Sequence, residues 1–210
     1  MDNIREIAER LGMTREPEAT IHVALLRELV QGQPVTMERL AKSLNWTTGE
    51  VGLALEKLPG TIEHDSQGRL IGYGITHRET PHAFVVHDQP LYTWCALDTL
   101  MFPAVIGERA QVQSRCPQTH KAVTLTVTPR AVLSLQPDDA VISLVPSPAE
   151  GDIRSTFCCD VHFFASRSAG EVWRRDKPHA DIVTVQEGFE LGQGIARLLL
   201  DNAGNDGHDG

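Results

Sequence analysis

Four cysteines are the residues of this chain whose types and spacing invite chemistry. Cys95 stands in Trp94-Cys95-Ala96-Leu97-Asp98. Cys158 and Cys159 are adjacent, just ahead of Val161-His162-Phe163-Phe164, and Cys116 is isolated in Ser114-Arg115-Cys116-Pro117. No Cys-x-x-Cys occurs, so neither a zinc ribbon nor a thioredoxin-type redox motif is present. Dispersed thiols with a carboxylate three residues from one of them suit a soft metal such as Cu(I) or Hg(II) rather than Mg or Ca.

The separation of Cys95 and Asp98 places them on one face of a helix, within reach across a turn. A carboxylate so placed can take the thiol's proton and deliver it elsewhere, which is general acid–base work. A packing cysteine followed by a solvated aspartate has the same spacing, and this pair alone does not decide between the two. If Cys158 and Cys159 lie on a strand they point to opposite faces, so at most one of them joins Cys95. His162 is a possible third ligand, although a single histidine in a Phe-rich strand is more often a hydrogen-bonded core residue. Cys116, with His120 nearby, reads as a structural thiol or the vestige of a zinc site.

The elements that must position these residues fall into two groups. Over residues 1–80 the sequence predicts helices at Ile21–Val30, from the Thr36 cap through Leu44, and over Glu50–Leu58, then a hairpin in which Thr61–Glu63 and Leu70–Tyr73 flank Asp65-Ser66-Gln67-Gly68. That is the plan of a winged helix-turn-helix. Its charge speaks against DNA binding, because residues 1–80 hold nine basic and twelve acidic side chains and the second helix of the turn carries Glu50 and Glu56 against Lys57. The expectation is a packing unit that keeps the fold without the job.

Residues 81–200 read as a mixed domain of strands and helices, giving an α+β chain overall. Strands are expected at Ala83–Val86, Val112–Arg115, Ala122–Val127, Ala140–Val145, Val161–Ala165 and Ile182–Val185, with helices at Ala169–Arg175 and Glu187–Leu200. Asp88 and Pro90 are read as the start of a helix that carries Leu91, Trp94, Cys95, Asp98 and Phe102 and is disrupted at Pro103. Residues 201–210, polar and Gly/Asn/Asp-rich, are read as a flexible tail.

The 19 basic and 28 acidic residues give a net charge of −9, which argues against nucleic acid or an anionic membrane as partner. The N-terminus lacks the plan of a signal peptide, and no apolar run is long enough to cross a bilayer. The expected setting is the cytoplasm, where thiols stay reduced and the four cysteines are free.

Two longer segments, 91–104 (LYTWCALDTLMFPA) and 155–166 (STFCCDVHFFAS), resemble the signature segments of the alkylmercury (organomercurial) lyases. Residues 71–76 with Arg78-Glu79-Thr80, and Phe189-Glu190-Leu191-Gly192-Gln193, match as well, and the resemblance spans roughly residues 20–200, the first twenty matching least. It implies a catalytic set of Cys95, Asp98 and Cys158, with Cys116 and Cys159 structural. Some members carry Ser at the aspartate position, so Asp98 favours turnover over metal retention. The implied reaction is protonolysis of a carbon–mercury bond in mercury detoxification: Cys95 attacks mercury, Cys158 adds, Asp98 protonates the carbon, and Hg(II) stays transiently on Cys95 and Cys158 beside Asp98. The resemblance implies no required cofactor, small cytosolic thiols as carrier and acceptor, and mercuric reductase as the partner that removes the ion. Against this stand a DNA-binding metal sensor, a soft-metal carrier without turnover, and a thiol hydrolase, for which no histidine lies in a recognisable motif. A carrier has no need of Asp98.

Overall fold

In the N-terminal third, side chains that supply missing hydrogen bonds set where helices begin. The computed structural model of the chain describes residue 5 and residues 7–9, 14–146 and 152–204. Helix α1 (Glu18–Leu29) buries Ile21, Leu25, Leu26 and Leu29 completely. Helix α2 (Met37–Leu44) begins at Thr36, whose hydroxyl accepts from the Arg39 N–H, and stops at Asn45 in the left-handed conformation. Helix α3 (Thr48–Glu56) opens with a reciprocal capping box between Thr47 and Glu50. Strands β1 (Glu63–His64) and β2 (Leu70–Tyr73) then form the expected antiparallel hairpin, its turn tied by Asp65 accepting from the Gln67 and Arg69 N–H groups.

This hairpin is also the beginning of a much larger sheet. Gly74, at φ +75°, turns the chain from β2 into β3 (Ile75–Thr76), and a Cβ there would meet the Phe102 ring at 2.5 Å. Among the described residues β1, β2 and β3 continue through β5 (Gln89–Thr93), β4 (His82–Val86), β6 (Ala110–Arg115), β7 (Ala122–Val127) and β8 (Val132–Gln136) as one antiparallel sheet of eight strands. A second sheet has the order β10 (Phe163–Phe164), β9 (Val141–Leu144), β11 (Asp181–Thr184).

Here two expectations are corrected. The helix expected from Asp88 is strand β5. His87 and Asp88, at φ 48° and 60°, make the two-residue turn between β4 and β5. Pro90 is tolerated because β3 pairs with β5 only at Tyr92 and Thr93, leaving that flank of Pro90 without a ladder. The helix starts instead at Ala96 and runs as α4 to Ile106, straight through Pro103. Cys158 and Cys159, whose element the sequence leaves open, lie on a single 3-10 turn (Cys158–Asp160) after the short helix α5 (Ile153–Thr156). Strand β8 carried no prior expectation. Of the expected tail, Asp201 and Asn202 close the last helix, and residues 205–210 lie outside the described residues.

Helix α6 (Arg167–Arg174) and the final helix α7 (Val185–Asn202) begin on side-chain caps, Ser166 and the Thr184–Glu187 box. The α7 helix packs on α4 at close range because of its glycines. A Cβ on Gly192 would sit 3.3 Å from the Met101 backbone, and one on Gly188 would meet Ile142 at 2.8 Å. The result is an α4 helix buried on nearly every side. No helix among the described residues is long and apolar enough to cross a membrane.

Candidate active site

The N-terminus of α4 holds the first two site residues. Cys95 is the N-cap and Asp98 the third helical residue, and they form a capping box: the Cys95 N–H donates to the Asp98 carboxylate at 3.1 Å, and the Asp98 N–H faces the Cys95 sulfur. The Cys-x-x-Asp spacing thus folds as a cap with a thiol in the hydroxyl's place. Helix N–H groups directed at the sulfur favour its thiolate form.

Cys158 is brought to this cap by its 3-10 turn. The Ala96 N–H donates to the Val161 carbonyl at 3.1 Å, tying the first turn of α4 to the segment just after Cys158. Ligand atoms of Cys95, Asp98 and Cys158 lie within 4.8 Å of one another, all three residues buried. Cys159, on the other side of the turn, is exposed, and its thiol donates to the Ser155 carbonyl.

On the side before Cys158, the N-terminal unit holds the segment. Asp152 accepts from the Thr61 N–H at 2.8 Å. Arg154 pairs with the buried Glu63 and lies 5.3 Å from the centre of the Trp94 ring. Glu63 also accepts from Trp94 Nε1 and from the Thr76 hydroxyl, so one carboxylate fastens strand β3, the residue before Cys95 and the helix before Cys158. Neither Glu63 nor Arg154 stood out in the sequence; a charged residue in a short hairpin strand and an arginine four residues before Cys158 are ordinary features.

Burial governs the electrostatics. Desolvation raises the Asp98 carboxyl to about 7, against the hydrogen bonds from Cys95 and the Trp94 backbone that lower it. The Cys95 thiol is pushed well up by burial, then by its hydrogen bond to Cys158 and by the Asp98 charge. For Cys158 the hydrogen bond from Cys95 is the largest influence and lowers it, but burial and the charges of Asp98 and Cys159 leave it above the ordinary thiol. Both thiols are thus held above the ordinary value, Cys95 by burial first.

A cavity of about 30 Å³ opens beside the cluster. Asp98 and Cys158 form part of its wall with Tyr73, Met101, Phe102 and Phe157, while Cys95 lies behind them. His22, from α1, completes the wall; it was not singled out in the sequence, where it appears as one polar residue inside an apolar helical stretch.

The remaining residues weighed from the sequence lie elsewhere. The His162 ring lies parallel to His82 and edge to face with Trp173, outside the thiol cluster. Cys116 is buried at the end of β6, where burial raises the thiol but hydrogen bonds with Thr119 and the Ala165 backbone bring it below the usual value. His120 is exposed, and neither it nor Cys116 belongs to a metal-ligand cluster among the described residues.

Residues 5–74 match the model of the helix-turn-helix domain of alkylmercury lyase and residues 75–197 that of alkylmercury lyase. The alkylmercury lyase of Pseudomonas putida is 50% identical over 201 residues, covering 95% of this chain and 94% of that protein. That of Staphylococcus epidermidis is 41% identical over 198 residues, covering 92% and 91%. A crystal structure of the mercury-bound form of MerB2 shares the fold, with a TM-score of 0.79 at 22% identity over 95% of this chain and all of that one. The signature segments around Cys95 and Cys158 thus sit in the fold and sequence family they suggested, and this chain belongs to the alkylmercury lyases.

Proposed function

We propose that this chain cleaves the carbon–mercury bond of an organomercurial R–Hg–X with Cys95 and Cys158 as the two sulfur ligands and Asp98 as the proton carrier. The observation that carries the assignment is the buried triangle of two thiols and one carboxylate, all within 4.8 Å. Cys158 lines the cavity whereas Cys95 is fully buried, so Cys158 is the first sulfur to reach mercury. This reverses the order implied by the resemblance. It displaces X, and its own proton leaves with X as HX. The buried Cys95 thiol follows as mercury enters the cluster, passing its proton to Asp98, whose raised pKa of about 7 lets it hold that proton at neutral pH. With two thiolate sulfurs on mercury, electron density moves onto carbon, and Asp98 returns the proton there: R–Hg–X and two thiols become R–H, HX and Hg(II) bound by two thiolates. A carbanion is a poor leaving group, so the positioned acid is the catalytic necessity.

No resident cofactor enters this scheme. Small thiols, and mercuric reductase after them, are the proposed acceptors of Hg(II), and the cytoplasm the proposed compartment, because the reaction needs reduced thiols. The division into a helical unit (1–80) that does not engage DNA, a catalytic unit (81–200) and a tail (201–210) belongs to the same reading.

The deciding experiment is multiple-turnover cleavage of phenylmercury in excess small thiol, read as benzene in the headspace and released Hg(II). Benzene from the wild type and none from Asp98→Ala supports the reading; tight mercury binding without benzene from the wild type overturns it.

A further inference from the structure

Resting on the lyase reading, the organic group must lie in the cavity beside Asp98, since the carbon to be protonated has to face that carboxyl and Asp98 forms part of the cavity wall. The other polar side chains of the wall are already engaged. Cys158 binds mercury, Trp94 Nε1 donates to Glu63, and the Tyr73 hydroxyl donates to the Pro59 carbonyl at 2.7 Å. His22 is the exception: it is 3% exposed, and neither ring nitrogen has a hydrogen-bond partner among the described residues.

An unpartnered imidazole at this depth is costly, and the surroundings do not require it. Its neighbours in α1, Ile21 and Val23, are apolar and buried, so a leucine would serve the packing. The ring is nonetheless held in one orientation, edge to face with Tyr73 at 4.8 Å between centroids. Burial lowers its pKa to about 3, so across the working range it keeps one N–H donor and one bare nitrogen acceptor. A hydroxyl, which donates and accepts without charge, matches that pair. A carboxylate or ammonium would bring an unpaired charge into an apolar wall.

We propose that His22 is a specificity residue of the organic-group cavity, its imidazole hydrogen-bonding a hydroxyl carried on the organic group of the substrate. The helix-turn-helix unit then contributes to substrate recognition through α1.

The test compares near-isosteric substrate pairs, 3-hydroxypropylmercury with butylmercury and 2-hydroxyethylmercury with propylmercury, on wild type, His22→Leu and His22→Gln, with hydrocarbon or alcohol release as the readout. The ratio of kcat/KM for the hydroxylated over the plain member of at least one pair is expected to fall about tenfold or more in His22→Leu. The loss is expected in KM rather than kcat, because the hydrogen bond is remote from the reacting carbon and equal in ground and transition states. His22→Gln, which keeps a donor and an acceptor, should recover part of the ratio and serves as the second variant should Leu disturb the fold. A ratio unchanged in both variants, with every substrate still cleaved, overturns the His22 assignment alone. Failure of the wild type to release product from any substrate overturns the lyase reading and this inference with it.

Discussion

Asp98 has two occupations at one atom pair: its carboxylate closes the cap of α4 and it carries the proton of the proposed reaction. The structural half has a measurable signature. Its carboxyl is raised from the ordinary 3.8 to about 7, so between those values the folded state binds a proton that the unfolded chain releases. Stability from this group is fully present below pH 3.8 and is lost as pH rises through 7. Asp98→Asn keeps a cap acceptor and removes the titration. Its unfolding free energy in urea is expected to gain on the wild type as pH goes from 5 to 8, by about 2–3 kcal/mol. The same variant is expected to bind Hg(II) and release no hydrocarbon. For the sulfurs, Cys95→Ser is expected to trap an R–Hg adduct on Cys158 without cleavage, and Cys158→Ser to lose both adduct and turnover; intact-protein mass spectrometry separates these outcomes. An adduct on Cys95 in Cys158→Ser would restore the order with Cys95 first. At this scale the sequence was readable, because a spacing of three means proximity in any helical turn. That Cys95 is the cap rather than an interior position is not legible, because a cysteine is an uncommon N-cap and Asp88 and Pro90 before it carry helix-start signals.

Strand β5 shows why elements were harder to read than residues. Asp88 and Pro90 are common at helix starts, yet the same two residue types serve a tight hairpin turn and an unpaired strand flank, and only the pairing with β4 decides. Strand β3, two residues long, has no periodicity to detect. The element that matters most for the site is α5, held by Glu63 and Arg154. Arg154→Met retains the apolar stem and removes the ion pair. It is expected to lower kcat roughly tenfold by loosening Cys158, with faster amide hydrogen exchange at residues 152–160 and little change elsewhere. Exchange spread across the whole chain would make the pair a general stabiliser instead. Gly74→Ala tests the turn on the other side: a left-handed backbone plus a Cβ 2.5 Å from Phe102 is expected to cost about 2–4 kcal/mol in urea unfolding.

For the molecule as a whole, caps and turns disclose a winged-helix plan, and composition an acidic balance of charge. The helix in the position of a DNA reader, α3, bears Glu50, Glu56 and an exposed Leu53, and fluorescence anisotropy with random duplex DNA at low salt is expected to show no binding. What composition did not reveal is that the wing strands and the catalytic strands are one sheet, since the strand that joins them, β3, is only two residues long and pairs with β2 on one side and β5 on the other. The meeting point of the two family matches, residues 74 and 75, falls inside the β2–β3 hairpin, where Tyr73 faces Ile75 across the ladder. A recombination event at that junction would sever a hydrogen-bonded pair, strip Cys158 of its Glu63 tether and open a raw sheet edge. On the proposed chemistry the two halves are thus bound to be inherited together, the helix-turn-helix unit an heirloom that the site cannot give up.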